Sequence, residues 1–223
     1  MKDASTPRVS RIIIVGAGGF GREVLQWALQ TWPDCGTRIA GFLSAEPRPV
    51  APQACRPAVI GDPRSFTPAP GDAFLLAIGI PGIRRLVAED LQARGAVFVT
   101  LVHPTAVVAP TASIGAGSIL CPYAIASDSV RLGRCTLMNY HSSLGHDAAT
   151  GDFAVLSPYA ALGGGAEIGA DAFLGLHASV GPGRRLGART KVAANSAALS
   201  DAPADALVHG VPGHTSPLIQ PSA

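Results

Sequence analysis

A polar cluster near the middle of the 223-residue chain holds the residues best suited to chemistry. Residues 139–147 read NYHSSLGHD, and the cluster ends on the adjacent pair His146 and Asp147. An imidazole beside a carboxylate is the smallest general base, because the carboxylate fixes the imidazole tautomer and stabilises the imidazolium that forms. The pair therefore predicts proton abstraction, and a surface histidine without a function is an equally good interpretation of the pairing alone.

The cluster lies inside a six-residue repeat that runs from Val108 to about Pro203. The first residue of each hexad is aliphatic and bulky in all but three repeats, where Ala126, Thr150 and Ala198 stand. A fixed short period predicts a solenoid, in which each coil buries its apolar residues by stacking on the next coil. At three hexads per coil we expect about five coils. His146 and Asp147 occupy the third and fourth positions of their hexad, which face outward.

The region before the repeat has the pattern of a nucleotide-binding α/β unit. Residues 11–15 (RIIIV) predict a strand buried on both faces, the motif GAGGFG follows at residues 16–21, and residues 22–32 predict a helix. Glycines in such a turn let the backbone approach a phosphate while the helix N-terminus supplies aligned N–H groups. Gly16, Gly18, Gly19 and Gly21 are therefore candidates for a phosphate site. A tight turn that binds nothing is the alternative.

Further strands are predicted at residues 38–43, 58–60, 73–78 and 97–101, and a second helix at residues 82–94. About 90 residues make half of a dinucleotide-binding fold, which suits one nucleotide or a nucleotide sugar and argues against an oxidoreductase. We expect a half-Rossmann-like α/β domain at residues 1–103. The hexad domain should cover residues 104–223, with a short C-terminal extension that leaves the repeat near residues 206–212.

Composition excludes several classes of protein. A formal charge of +2 and the absence of a basic, aromatic-interleaved stretch give no reason to expect a nucleic-acid partner. The four cysteines show no CxxC spacing, so neither a zinc site nor a disulfide framework is predicted. With no long apolar run and no signal peptide, we expect a cytoplasmic protein without a membrane partner.

Several motifs in their order along the chain resemble one enzyme family. They are VGAGGFGREVL at residues 15–25, AIG at 77–79 with Arg84 following, HPTA at 103–106, the hexads, Asn139 seven residues before His146, and GVP at 210–212. The chain is similar to the sugar acyltransferases that include sialic acid O-acetyltransferases and the N-acetyltransferases of bacillosamine and perosamine biosynthesis. The hexads resemble those of left-handed parallel β-helix proteins, and the resemblance implies that fold for the second domain.

The resemblance also implies an activity and a site. It implies a homotrimer with active sites between subunits, acetyl-CoA as donor, no metal, and a nucleotide-linked sugar held by the N-terminal domain. His146 matches the catalytic base, Asp147 its acidic partner, and Gly164 a glycine whose backbone N–H meets the acetyl thioester. Further residues match positions for the sugar nucleotide (Gly16, Gly18, Gly19, Phe20, Gly21, Ser44, Glu46, Gly79, Arg84 and Asn139) or for the CoA arm (Leu176 and Ala194).

Three positions depart from the family pattern. Phe20 stands where many members carry His, Val155 stands where some carry a second His that contacts the acetyl group, and Ser44 stands where many carry an Asp that binds uracil. Glu46 could instead pair with guanine N–H groups. The sequence therefore favours a GDP-linked sugar such as GDP-perosamine, with a UDP-linked amino sugar as the alternative.

Three other interpretations compete with N-acetylation by direct attack of the sugar amine on the thioester. One is O-acetylation of a sugar hydroxyl. Another is a zinc site of the kind seen in β-helical carbonic anhydrases, since His141 and His177 lie six hexads apart and should stack two coils from each other. The third is a non-catalytic scaffold or sensor. Finally, Arg184, Arg185, Arg189 and Lys191 are candidates for the CoA phosphates, and a solvated basic face is an equally good interpretation.

Overall fold

The N-terminal part of the chain is a five-stranded parallel sheet with helices on both faces. The computed structural model describes residues 9–46 and 57–218, and the sheet order is β3-β2-β1-β4-β5. Its elements are β1 (Arg11–Val15), α1 (Gly19–Thr31), a 3-10 turn (Pro33–Arg38), β2 (Ile39–Leu43), β3 (Val59–Gly61), β4 (Asp72–Leu76), α2 (Pro81–Ala93) and β5 (Val97–Phe98).

The central strand β1 explains why its sequence is a continuous apolar run. Ile12 and Ile14 pack with α1 on one face, and Ile13 and Val15 pack with α2 on the other. Both faces of a parallel sheet are covered, so no polar alternation survives in its centre. The predicted strands and helices of this domain are confirmed, with their ends shifted by at most three residues.

One predicted strand is divided between the two domains. The expected strand at residues 97–101 ends at Phe98, and Leu101–Val102 (β6) pairs instead with Ile119–Leu120 in the solenoid. The Leu101 N–H donates to the Ser118 carbonyl oxygen at 3.0 Å. The first coil of the solenoid therefore begins before residue 104, because the Leu101 and His103 N–H groups find their acceptors there, while the Val99 N–H still donates to Phe74 in the N-terminal sheet.

The hexads form a left-handed parallel β-helix with a triangular cross-section. Each strand pairs with the strand three hexads further on, as Ile125 pairs with Ser143. The strands that follow β6 are two residues long: β7 (Val107–Val108), β8 (Ser113–Ile114), β9 (Ile119–Leu120), β10 (Ile125–Ala126), β11 (Arg131–Leu132), β12 (Leu137–Met138), β13 (Ser143–Leu144), β14 (Ala149–Thr150), β15 (Val155–Leu156), β16 (Ala161–Leu162), β17 (Glu167–Ile168), β18 (Phe173–Leu174), β19 (Ser179–Val180), β20 (Arg185–Leu186), β21 (Lys191–Val192) and β22 (Ala197–Ala198).

The interior of the solenoid is as the hexads predict. The first hexad position is buried in every repeat from Leu120 to Ala198, and the apolar side chains there form one continuous core. The second residue of a strand points inward and the first points outward, so each of the three faces is described by its outward residues.

The outward residues give the three faces different characters. The covered face (β6, β9, β12, β15, β18, β21) presents Leu101, Ile119, Leu137, Val155, Phe173 and Lys191. The small-residue face (β7, β10, β13, β16, β19, β22) presents Val107, Ile125, Ser143, Ala161, Ser179 and Ala197. The charged face (β8, β11, β14, β17, β20) presents Ser113, Arg131, Ala149, Glu167 and Arg185.

The N-terminal domain packs on the covered face. Leu137 and Val155 are buried in one cluster with Ile12 and Trp27. Val155 is only 2% exposed. A side chain at position 155 therefore faces the domain interface of its own chain and not the corner that carries His146.

The three edges of the prism are called corners below and named by their residues. The aromatic corner (turns at residues 121–124, 139–142, 157–160, 175–178 and 193–196) joins the covered and small-residue faces. The histidine corner (127–130, 145–148, 163–166 and 181–184) joins the small-residue and charged faces. The docking corner (115–118, 133–136, 151–154, 169–172 and 187–190) joins the charged and covered faces.

The docking corner is fixed to α2 by a group of charged side chains around one aromatic ring. The guanidinium groups of Arg85 and Arg134 lie 4.4 and 4.6 Å from the Phe153 ring centroid. Arg85 also pairs with Asp171 at 2.9 Å. Cation–π contacts and ion pairs together hold this edge of the N-terminal domain in place.

The C-terminal segment stays on the solenoid longer than the sequence predicts. Ala206–His209 (β23) pairs in parallel with β21 on the covered face, and His214–Pro217 (β24) folds back antiparallel to β23. The hexad spacing ends, but an exposed row of strand N–H and C=O groups remains for β23 to pair with. Among the described residues, no helix has both the length and the apolar character needed to cross a membrane.

Candidate active site

His146 and Asp147 form a pair at the histidine corner. His146 Nδ1 lies 2.8 Å from Asp147 Oδ2, and the two side chains are 71% and 64% exposed. Asp147 adopts φ +61°, a conformation that Asp tolerates better than most residues. Its backbone N–H donates to the Asp128 carbonyl oxygen of the preceding coil at 2.9 Å. Because Nδ1 faces the carboxylate, Nε2 is the ring nitrogen that is free to accept a proton.

Gly164, one coil further on, lies directly against this imidazole. A Cβ atom at position 164 would be 2.5 Å from His146 Nε2 and 2.7 Å from Cε1. In the described part of the chain, the Gly164 N–H has no hydrogen-bond acceptor. The imidazole therefore lies against a glycine whose backbone N–H is unpaired in the described chain, and such N–H groups can serve an oxyanion site.

Asp128 was not predicted from the sequence, and it adds a second carboxylate at this corner. The Thr111 hydroxyl donates to Asp128 Oδ1 at 2.5 Å, and the Ser129 hydroxyl donates to Oδ2 at 3.2 Å. These hydrogen bonds, with a smaller contribution from the charge of His146, lower the pKa of Asp128 below its usual range. The signal in the sequence was its position three hexads before His146, since three hexads make one coil of the solenoid.

The other residues expected near the donor and the sugar lie at a different corner. Asn139, Leu176 and Ala194 all belong to the aromatic corner, at the opposite edge of the small-residue face from His146 and Gly164. The Asn139 side-chain oxygen accepts a hydrogen bond from the Tyr140 N–H at 2.8 Å. One chain therefore splits the predicted site between two corners.

Stacked rings run along the aromatic corner. Tyr123, His141, Tyr159 and His177 occupy the same position on successive coils, with centroid separations of 4.9, 4.8 and 4.7 Å. His141 and His177 share a corner as predicted, but the Tyr159 ring lies between them. Among the described residues, no group of three or more His, Cys, Asp or Glu side chains is placed to hold a metal ion. The arrangement gives the alternative zinc site no support.

The glycine turn divides into residues needed for packing and residues open to solvent. Gly16 has φ +115°, and a Cβ there would be 2.5 Å from the Ala77 carbonyl oxygen. A Cβ at Gly21 would overlap the Gly16 carbonyl oxygen. By contrast, nothing lies within 4 Å of a Cβ built at Gly18 or Gly79.

The open side of this turn lies at the carboxyl ends of β1 and β4, where the strand order reverses and ligands of such sheets bind. Gly19 faces the same open space, with only the Arg22 guanidinium at 3.9 Å from an added Cβ. Phe20 turns away from it and packs edge-on against Trp27, with ring centroids 6.0 Å apart. Phe20 therefore belongs to the domain interface in this chain.

Ser44 and Glu46 follow β2 at the same end of the sheet. The Ser44 hydroxyl donates to the Glu46 backbone oxygen at 2.8 Å, so Ser44 fixes the turn in which Glu46 stands. The Glu46 side chain is exposed.

Arg84 corrects the prediction of a substrate contact. Its side chain is completely buried, Nε donates to the Cys135 carbonyl oxygen at 2.7 Å, and Nη1 donates to the carbonyl oxygens of Leu76 and Ile78 at 2.6 and 2.8 Å. Burial lowers the pKa of Arg84 to about 10. Arg84 thus ties the end of β4 to the docking corner. Its place after the AIG turn indicated the right region, but the sequence could not show which way the side chain points.

The four basic candidates for CoA phosphates do not form one patch. Arg184 lies at the histidine corner with Asp201 at 3.7 Å, and Arg185 lies on the charged face with Glu167 at 3.8 Å. Arg189 pairs with Asp205 at 2.6 Å at the docking corner. Lys191 is on the covered face. Only Arg184 shares a corner with His146.

Comparison with known proteins agrees with this architecture. Residues 11–91 match the family model of the PglD N-terminal domain. A GDP-perosamine N-acetyltransferase of Escherichia coli O157:H7 is 29% identical over 137 residues, which is 60% of this chain and 61% of that protein. A UDP-N-acetylbacillosamine N-acetyltransferase of Bacillus subtilis is 31% identical over 116 residues, which is 50% of this chain and 51% of that protein. The matches thus span between half and two thirds of these curated relatives.

Solved structures match over nearly the full length. A perosamine N-acetyltransferase of Caulobacter crescentus, a His-to-Asn variant solved with CoA and GDP-perosamine, superposes with a TM-score of 0.81 at 27% identity, covering 95% of this chain and 99% of that chain. The acetyltransferase domain of PglB from Neisseria gonorrhoeae gives 0.82 at 25% identity, covering 92% and 98%. The chain is thus similar to sugar N-acetyltransferases over nearly its full length, and its residues 11–91 carry the PglD N-terminal domain. The superpositions extend over both the α/β domain and the β-helix, since they cover 95% and 92% of this chain.

Proposed function

We propose that the protein transfers the acetyl group of acetyl-CoA to the amino group of a nucleotide-linked 4-amino-4,6-dideoxy sugar. The observation that carries the proposal is the contact of the Gly164 backbone with the imidazole of a histidine whose other nitrogen is held by Asp147. The Caulobacter and Neisseria neighbours were solved with CoA or acetyl-CoA, which supports the choice of donor. GDP-perosamine is the favoured acceptor, and a UDP-linked amino sugar is the alternative.

The geometry supports a direct transfer. The neutral sugar amine attacks the thioester carbonyl carbon, and His146 Nε2 takes the proton that the nitrogen loses as the C–N bond forms. In this proposal the Gly164 N–H donates to the carbonyl oxygen as negative charge develops there. The C–S bond then breaks and CoA leaves as the thiol, with the proton returned from His146. Asp147 keeps the imidazole in the tautomer that leaves Nε2 free to accept the proton and stabilises the imidazolium between the two steps.

The prism also supports a site shared between subunits. The histidine corner lies opposite the covered face, so His146 is at the edge of the prism away from its own N-terminal domain. A sugar nucleotide held at the open glycine turn would therefore reach the His146 of another chain more readily than its own. A trimer around a threefold axis that runs along the small-residue faces brings each histidine corner to the aromatic corner of a neighbour.

This arrangement reunites the residues that one chain separates. His146 and Gly164 would come from one subunit, and Asn139, Leu176 and Ala194 from the next. The N-terminal domain of that second subunit packs beside its aromatic corner, since Tyr140 contacts the same interface cluster as Phe20. We propose a homotrimer with three such sites, acting in the cytoplasm on soluble substrates.

Thiol release from acetyl-CoA tests the proposal. Purified protein is incubated with acetyl-CoA and, in parallel, with a GDP-linked or a UDP-linked 4-amino-4,6-dideoxy sugar, or with the corresponding sugar that carries only hydroxyl groups. We expect release that depends on the amine and is faster with the GDP sugar. Faster release with the hydroxyl sugar would instead identify an O-acetyltransferase. Release with none of the acceptors, from protein that is folded and trimeric, would contradict the proposed function.

A further inference from the structure

The stacked rings Tyr123, His141, Tyr159 and His177, here called the ring ladder, are not assigned a role by the proposed chemistry. Each ring is at the fourth hexad position of its coil, with φ between +54° and +62°. Neighbouring ring planes differ by only 5° to 13°. The separations equal the spacing of adjacent strands, so the coil itself imposes the stacking.

The ladder exposes a large apolar surface at the edge of an uncharged face. Tyr123 is 54% and Tyr159 is 46% exposed, and Ile125 on the adjoining small-residue face is 43% exposed. The outward residues of that face carry no charge from Val107 to Ala197, whereas those of the charged face include Arg131 and Glu167. Contiguous exposed apolar surface of this kind marks an interaction site.

Symmetry identifies what this surface meets. In a closed trimer the contact is the same at all three interfaces, and a corner at one edge of the small-residue face meets the corner at its other edge on the next chain. A rotation about an axis parallel to the solenoid moves no residue up or down, so coils of equal height face each other. His141 stands on the same coil as His146, and Tyr159 stands on the same coil as Gly164.

We propose that the ring ladder of one chain forms the second wall of its neighbour's catalytic cleft, with His141 opposite His146 and Tyr159 opposite Gly164. The inference rests on the trimer and on the activity proposed above. The ladder rings are positioning residues in this account: they hold the donor and acceptor against a histidine and a glycine that their own chain does not bring near them. The stacking keeps the rings rigid, which is what a wall that positions a substrate requires.

Mixed trimers test whether ladder and histidine act across the interface. Tyr159→Ala and His146→Ala chains are co-expressed with different tags, and trimers that carry both tags are isolated. Every mixed trimer then has one interface in three at which an intact histidine meets an intact ladder. Each homotrimer should have lost at least about tenfold in kcat/KM, and the mixed trimers should recover about one third of the wild-type activity.

A matched control uses two changes at one corner. Mixed trimers of His146→Ala with Asp147→Asn regain no intact site, because both residues belong to the histidine corner, and they should stay as inactive as their parents. If the Tyr159→Ala mixture also regains nothing, or if the Tyr159→Ala homotrimer keeps wild-type activity, the proposal is wrong.

A cross-linking experiment gives a result that does not depend on catalysis. A chain with both His146→Cys and His141→Cys is treated with a short bis-maleimide and run on a denaturing gel. We expect covalent dimers and trimers, in contrast to either single variant and to a Ser113→Cys, His146→Cys control, whose second cysteine lies on the charged face. Absence of chain-to-chain products from trimeric protein would overturn the ladder assignment even if acetyl transfer were established. Cross-linking without any acetyl transfer would contradict only the proposed acetyl transfer and would leave the ladder assignment standing.

Discussion

Gly164→Ala changes one methyl group at the point where the backbone meets the imidazole. The added Cβ would lie 2.5 Å from His146 Nε2, while ordinary contacts begin near 3.4 Å, so Nε2 must retreat by 3.4 − 2.5, or about 0.9 Å. Gly164 has no left-handed φ, so alanine fits its backbone conformation. The His146 ring is 71% exposed and can turn into solvent, which makes the movement cheap for stability. The His146 ring therefore moves, while the β-helix keeps its structure.

Gly164→Ala should therefore lower the rate of catalysis and leave the stability of the fold nearly unchanged. A displacement of about 1 Å in a reacting group can lower the rate about 100-fold, which corresponds to about 2.7 kcal/mol in the barrier. We expect kcat for thiol release from acetyl-CoA to fall by about that factor, with a midpoint of thermal unfolding within about 2 °C of wild type.

Gly181→Ala is the matched control, because Gly181 lies one coil beyond Gly163 at the same corner and an added Cβ there meets nothing closer than 3.4 Å. It should leave both kcat and the unfolding midpoint unchanged. A Gly164→Ala enzyme within about threefold of wild-type kcat would refute the placement of the base against this glycine.

The remaining predictions concern Asp147 and the structural contacts of two arginines, Arg84 and Arg11. Asp147→Asn should lower kcat about 10- to 100-fold without changing the unfolding midpoint, because an amide cannot stabilise the imidazolium; unchanged kcat would exclude Asp147 from the reaction. Arg84→Met should lower the free energy of unfolding in urea by about 3 kcal/mol or more, since the carbonyl oxygens of Leu76, Ile78 and Cys135 lose their donor, and a loss below about 0.5 kcal/mol would contradict a structural role for Arg84. Arg11 lowers the pKa of Asp72 through two hydrogen bonds of 2.7 Å, so its contribution is present above the unfolded pKa of about 3.9 and is lost as pH falls through the lower folded pKa. Asp72→Asn should therefore cost about 1–3 kcal/mol at pH 7 and reduce the slope of stability against pH below about pH 4; an unchanged slope would argue against the pair.

The repeat allowed the interior of the β-helix to be predicted residue by residue. Leu120, Leu144 and Leu174 are buried because a period of six on three faces leaves only one orientation for the first hexad position. The same spacing predicted that His146 faces outward and that His141 and His177 share a corner. The regular geometry of the β-helix made these predictions possible, since the direction of each side chain follows from its position in the hexad.

The attachment of the N-terminal domain was not predicted, although the sequence held a signal for it. Ile119, Leu137, Val155 and Phe173 recur at every third hexad, at the outward position before the buried one, and an apolar outward row requires a cover. The same spacing would have added Tyr123 and Tyr159 to the two histidines. These positions recur only at every third hexad, once per coil, so they are not apparent when the sequence is compared at a period of six residues.

Two kinds of site feature lay beyond sequence reasoning. Arg84 follows the second glycine turn as the family pattern expects, yet its side chain points inward, because three carbonyl oxygens at the domain interface need a donor. Asn139, Leu176 and Ala194 were expected beside His146 and lie at another corner. In the proposed trimer these residues meet His146 only across chains, and such a contact cannot be recognised from the spacing within one chain.

Product analysis shows whether the protein acetylates a sugar amine and whether the reaction depends on His146. The wild-type protein and the His146→Ala variant are incubated with acetyl-CoA and a GDP-linked 4-amino-4,6-dideoxy sugar, and the nucleotide sugar is examined by mass spectrometry and NMR. We expect one acetyl group on the amino nitrogen with the wild-type protein, formed at least about 100-fold more slowly with His146→Ala. Equal rates of N-acetylation by the two proteins would contradict this expectation.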